Sequence, residues 1–260
     1  EHSRDQQECG PEADRRRLHQ LMTPEQSFAN LLAADPGRPF VTYYDEASGE
    51  RSELSAKSLA NWVAKTHHLL STELGLGAGD TALIALPAHW ISLPPLLGSL
   101  TAGLALTTTP AEADVAFVSP ATAAAAAGIP DSYAVAPDSA ATGFGAAPPA
   151  GVQDFVVAVR PQEDKWPGVR FGAGPDDLCM AGRSRAEVAA DARARAAELG
   201  LTPGARVLTT RDWTGYPDWI DALLAPLSVG GSVVYVRNCT DPAVLDRRAA
   251  QERVTAVLTA

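Results

Sequence analysis

The chain has 260 residues, 46% hydrophobic and 20% charged, with a formal net charge of −10. That apolar fraction suffices for a core in one large α/β domain or two small ones, and it excludes a chain disordered throughout. The acidic balance excludes a large basic footprint for nucleic acid. Cys9, Cys179 and Cys239 are scattered without a CxxC pair. They fit neither a disulfide framework nor a zinc site, and they point to a reducing, cytoplasmic setting.

Residues 1–21 are polar and have no secretory apolar stretch, so they are expected to form a disordered extension. Within them Arg15-Arg16-Arg17 reads as a solvated charge run. Folding is expected to begin at Thr23-Pro24, an N-cap followed by proline in the first helical turn. No residue between Asp80 and Glu112 carries a formal charge. Pro87, Pro94, Pro95, Gly98 and Gly103 interrupt this stretch and Thr107-Thr108-Thr109 closes it. It therefore predicts a buried strand–helix–strand rather than a membrane span.

Two segments resemble each other. Glu73-Leu74-Gly75-Leu76-Gly77-Ala78-Gly79 leads into an apolar run at 82–86. Glu198-Leu199-Gly200-Leu201-Thr202-Pro203-Gly204 leads into another at 206–210. An alanine-rich amphipathic helix precedes each, over 55–74 and 184–199, and Gly75 and Gly200 stand where a helix end favours positive φ. Each strand is followed by a tryptophan-bearing loop, a helix ending at Gly103 or Gly230, and a second strand over 104–107 or 232–236. This pattern predicts an α/β fold of two repeated doubly wound halves, 22–151 and 152–260. Between them a short helix is expected at 122–127, a strand at 133–135 and an Ala/Gly/Pro linker at 140–150. Strands are expected at 155–159 and 177–181, a helix at 242–252 and a final strand at 254–259.

Several motifs in this order resemble the start of the adenylate-forming superfamily of acyl-CoA synthetases, peptide-synthetase adenylation domains and luciferases. They are Leu54-Ser55-Ala56-Lys57-Ser58-Leu59-Ala60, Gly75–Leu83, Leu86-Pro87 and Leu100-Thr101-Ala102-Gly103. Leu199–Leu208, Gly230–Val234 and Arg253-Val254-Thr255-Ala256 continue the likeness. It covers residues 23–260 and is closest to short bacterial relatives that contain only that superfamily's N-terminal half. It implies the fold of that half. The family's phosphate loop, rich in Ser, Thr and Gly and ending in Pro-Lys-Gly, corresponds here to Asp176–Arg185, which is shortened and has no lysine. The later adenine and ribose motifs and the C-terminal catalytic lysine are expected to be missing.

Two groups of residues are candidates for ligand binding. His89-Trp90 and Asp212-Trp213-Thr214 follow the first strands of the two repeats, where doubly wound sheets bind ligands. An Asp–His pair there would serve acid–base chemistry if the loops meet; otherwise the tryptophans are packing residues and His89 is a polar loop residue. Arg183 and Arg185, just before a helix, suit a phosphate or carboxylate. The simpler reading makes Ser184 an N-cap in a capping box with Glu187. His67-His68 reads as structural, because adjacent helical residues diverge, and Cys179 as buried. The expectation is a non-catalytic binding or interaction protein without a cofactor, recognising a protein partner or a small acyl- or nucleotide-like ligand. The alternative is a partner-dependent acyl-adenylate-type enzyme that binds ATP or AMP. A homo-oligomer is compatible with the sequence.

Overall fold

The computed structural model describes residues 21–137, 141–168 and 173–259. The basic run at Arg15-Arg16-Arg17, with the rest of residues 1–20, lies outside the described residues. Helix α1 (Pro24–Ala34) begins at the Thr23–Gln26 capping box. A hairpin follows, β1 (Pro39–Asp45) and β2 (Glu50–Ser55). Its first strand, Phe40-Val41-Thr42-Tyr43-Tyr44, is rich in the aromatic and β-branched residues that suit a pleated surface. Ser55 caps α2 (Ala56–His68), which runs on through one wider turn, Leu69–Glu73. Gly75 then takes φ 71° and Gly200, its counterpart in the second repeat, φ 64°.

The first repeat continues through β3 (Thr81–Ala85), α3 (Leu93–Ala102) and β4 (Ala105–Thr107). Gly98 brings α2 and α3 together: a Cβ there would lie 2.5 Å from Thr66 Cβ. Strands β5 (Val115–Val118), β6 (Asp131–Ala134) and β7 (Gln153–Asp154) lead to α4 (Phe155–Val159). The predicted strand at 155–159 is thus a helix. Asp154 caps it by accepting from the N–H groups of Val156 and Val157, and Phe155, Val156 and Val159 form its buried face. The expected short helix at 122–127 is a 3-10 segment, Pro120–Ala126. A second hairpin, β8 (Leu178–Met180) and β9 (Arg183–Ser184), precedes α5 (Arg185–Glu198). The second repeat follows: β10 (Arg206–Thr209), α6 (Tyr216–Trp219) continued by a wider turn into α7 (Ala225–Ser228), and β11 (Ser232–Arg237). Helix α8 (Pro242–Gln251), capped by Asp241, and β12 (Ala256–Leu258) complete the described chain.

Two sheets result, β12-β10-β11-β1-β2 and β7-β6-β5-β3-β4-β8-β9. The first matches the β5-β3-β4-β8-β9 part of the second strand for strand. In both, four parallel neighbours end in an antiparallel hairpin. The predicted repeat is therefore present in three dimensions, with one correction. The boundary at 151/152 does not separate the sheets, because each repeat lends its hairpin to the other: β1 pairs with β11 and β8 with β4. One contiguous apolar core, including Tyr43, Val233, Ile84 and Phe117, spans both sheets. Among the described residues no helix is long and apolar enough to cross a membrane.

Candidate functional site

The second hairpin turns through Ala181 (φ 53°) and Gly182 (φ 72°) alone. Two positive φ values in a two-residue turn are the geometry that matches strand twist. Ser184 closes the predicted capping box: its N–H donates to Glu187 Oε2 at 2.8 Å and its hydroxyl accepts from the Glu187 N–H at 3.3 Å.

Arg185 faces inward and is fully buried. It pairs with Glu25 on α1 and donates to the carbonyls of Leu100 (3.2 Å) and Leu104 (2.9 Å). Burial pushes its guanidinium pKa down to about 10. Arg185 is therefore a stitch between α1, α3 and the start of β4, which corrects the reading of it as an anion ligand. Arg183 is half exposed, pairs with Asp191 at 3.3 Å and lies over the Tyr216 ring, 5.8 Å from its centroid. Tyr216 donates to the same carboxylate at 2.5 Å.

The loops after β3 and β10 do meet: the Ala88 N–H donates to Asp212 Oδ1 at 2.7 Å. Asp212 also accepts from the Trp213 N–H (2.8 Å) and from Arg237 (2.5 Å). Next to Ala88, His89 is buried, its ring centroid 4.1 Å from that of Tyr43 with the planes tilted by 54°. Its Nδ1 accepts from the Ile91 N–H at 3.2 Å, and its Nε2 lies 3.4 Å from Glu50. An accepting Nδ1 places the proton on Nε2, toward Glu50. These contacts clamp the loops. Trp90 packs edge-on against Trp62 and Trp213 edge-on against Tyr235. The hydroxyl and N–H of Thr214 both go to Asp218.

His67 is buried, and desolvation pushes its pKa down to about 4, with the neighbouring His68 adding to the effect. His68 instead reaches the Lys165 carbonyl at 2.9 Å. Among the described residues no group of three His, Cys, Asp or Glu side chains is placed to hold a metal ion. Burial raises the Cys179 thiol pKa, away from the thiolate that reactivity requires.

Beside the second hairpin turn lies a cleft of about 450 Å³ that the candidate residues did not mark. Its walls are Thr107-Thr108-Thr109 after β4, the Ala181-Gly182 turn, and Tyr216 with Trp219 of α6. Trp219 is 2% exposed and its indole N–H has no hydrogen-bond partner among the described residues. The Thr107 hydroxyl donates to Glu112, the one charged residue among the described residues that line the cleft. Among the described residues no arginine or lysine lines it. The donor set suits a neutral or weakly charged ligand with an acceptor for Trp219. The sequence signal for this cleft was the threonine run that closes the uncharged stretch.

No protein-family model matches the chain. Among solved structures the fold is similar to a Brucella canis acyl-CoA synthetase (TM-score 0.73, 16% identity) and to the acetoacetyl-CoA synthetase from Streptomyces lividans (TM-score 0.72, 16% identity). It is also similar to the anthranilate CoA ligase AuaEII in complex with anthranoyl-AMP (TM-score 0.68, 13% identity). These matches cover 95%, 92% and 91% of this chain respectively, but only 50%, 42% and 49% of those proteins. The chain thus has the α/β fold of about half of an acyl-CoA-synthetase-like enzyme. A TIGR03089 family protein of Mycobacterium tuberculosis is 43% identical over 238 residues, which are 88% of this chain and 94% of that protein. On that likeness the chain belongs to the TIGR03089 family.

Proposed function

We propose that the chain is a binding or interaction protein built on the acyl-CoA-synthetase fold, which does not form adenylates by itself. One observation carries this reading: the place that resembles the phosphate loop in sequence is a two-residue hairpin turn, beside a cleft that no cation lines among the described residues. Arg185 is committed to Glu25 and two carbonyls, and Arg183 to Asp191. Adenylyl transfer needs the developing phosphate charge to be neutralised, and each missing contact of that kind costs roughly 3–4 kcal/mol of transition-state stabilisation. The cleft favours a small acyl-type compound of low negative charge, and a cytoplasmic setting accords with the free Cys179 and Cys239.

A second reading, a partner-dependent enzyme acting on an acyl compound, draws on the same Trp219 N–H, which has no hydrogen-bond partner among the described residues. Thermal unfolding with small carboxylic acids, their amides, AMP and ATP tests the proposal. Stabilisation by an acyl compound, lost in Trp219→Phe, is the expected result, since bound ligand raises stability by mass action. Stabilisation by ATP that is unaffected by Trp219→Phe would refute it.

A further inference from the structure

We infer that the free edge of β2 is a docking site for an extended, basic polypeptide segment, which adds to the five-stranded sheet as a sixth strand. Strand β2 ends that sheet, and among the described residues its only strand partner is β1. An edge strand presents a row of unpaired N–H and C=O groups. Among the described residues no backbone hydrogen bond joins residues 51–54 to any segment but β1.

Arg51, Ser52, Glu53 and Leu54 all line an open groove of about 590 Å³. Successive strand residues point to opposite faces, so a groove that touches all four follows the edge rather than one face. Ser58 and Trp62 of α2, one helical turn apart, form the opposite wall, with Trp90 beside them. A groove between an edge strand and a helix is the setting in which peptides bind by strand addition. Trp90 is buried at 3% exposure, yet its indole N–H has no hydrogen-bond partner among the described residues. A buried tryptophan N–H usually finds an acceptor, and the carbonyls of an added strand are acceptors of that kind.

Charge selects the partner. Arg51, the one cation among the described residues that line the groove, is already matched by Glu53 (2.8 Å) and Glu252 (3.2 Å). The Glu53 side chain is 34% exposed, and its Oε1 makes no hydrogen bond among the described residues. The whole chain carries −10. A lysine or arginine side chain is thus drawn to the groove, where half-buried Trp62 offers an aromatic face for the cation.

The test is fluorescence polarisation of three labelled heptapeptides with the full chain. One alternates lysine and valine, one alternates glutamate and valine, and the third is the lysine peptide N-methylated at every residue. The expected result is saturable binding of the first, at least tenfold weaker binding of the other two, and a tenfold loss for the first in Trp62→Ala. Glu53→Gln should weaken it about threefold. The N-methylated arm uses the unaltered chain and so does not depend on how a variant folds. No saturable binding of the lysine peptide would overturn the inference. Equal binding of the N-methylated peptide, or indifference to Trp62→Ala, would also overturn it, by reducing the attraction to general electrostatics.

Discussion

The two hairpins occupy equivalent places in the two sheets, yet they are built to different ends. The first has strands of seven and six residues, and its charges lie at the surface. There Glu252 accepts from Tyr44 and from Arg206, both at 2.6 Å, and pairs with Arg51. The second hairpin has strands of three and two residues, and the cation that follows it is drawn into the core. A repeated frame thus tolerates either arrangement. The position that resembles a phosphate loop in sequence serves here to join three elements through Arg185.

The largest expected effect breaks that comparison directly. Arg185→Met strands the Glu25 carboxylate in the core and should destabilise the fold by about 3–5 kcal/mol in urea unfolding. Combining it with Glu25→Leu should restore most of the loss, because an apolar pair can replace a buried ion pair. Arg51→Met, in the half-exposed network of the other hairpin, should cost about 1 kcal/mol or less. Equal losses from the two arginines would remove the distinction.

The second expected effect sharpens the comparison of the repeats through the helices that follow the hairpins. Counted from the caps Ser55 and Ser184, His67 on α2 stands where α5 has Ala196, and both are buried. The folded His67 titrates at about 4 rather than 6.5. Between those values the unfolded chain binds the extra proton, so stability should fall as pH drops from 6.5 to 4, by roughly 3 kcal/mol in all. It should be fully present above 6.5. His67→Gln should flatten that part of the pH–stability curve, and an unchanged slope would show that another group carries it. A smaller effect concerns the region between the repeats. Asp154→Ala removes the cap of α4 and should lower stability by about 1 kcal/mol in thermal unfolding.

How far the sequence foretold these features follows from the range of the interactions. Helix starts were legible because their causes are local: Thr23, Ser55, Ser184 and Asp241 each cap a helix from an adjacent position. The paired strands of each repeat were legible from apolar runs behind glycine turns. The exchange of hairpins was not, since the pairings of β1 with β11 and β8 with β4 join distant segments. The run Phe155-Val156-Val157-Ala158-Val159 suits strand or helix equally by composition. The choice rests on Asp154, which satisfies the first N–H groups of a helix. Of the candidate site residues, Ser184 was readable from Glu187 alone. The burial of Arg185 depends on Glu25, far away in the chain. The cleft at Trp219 arises only where β4, the second turn and α6 come together.

Calorimetric titration of the full chain with Mg²⁺–ATP, followed by ATP–pyrophosphate exchange in the presence of carboxylic acids, most directly tests the claim that the second hairpin has no phosphate-binding role. The account expects no saturable heat and no exchange, for the unaltered chain and for Arg183→Ala alike. Saturable binding or exchange that disappears in Arg183→Ala would contradict it.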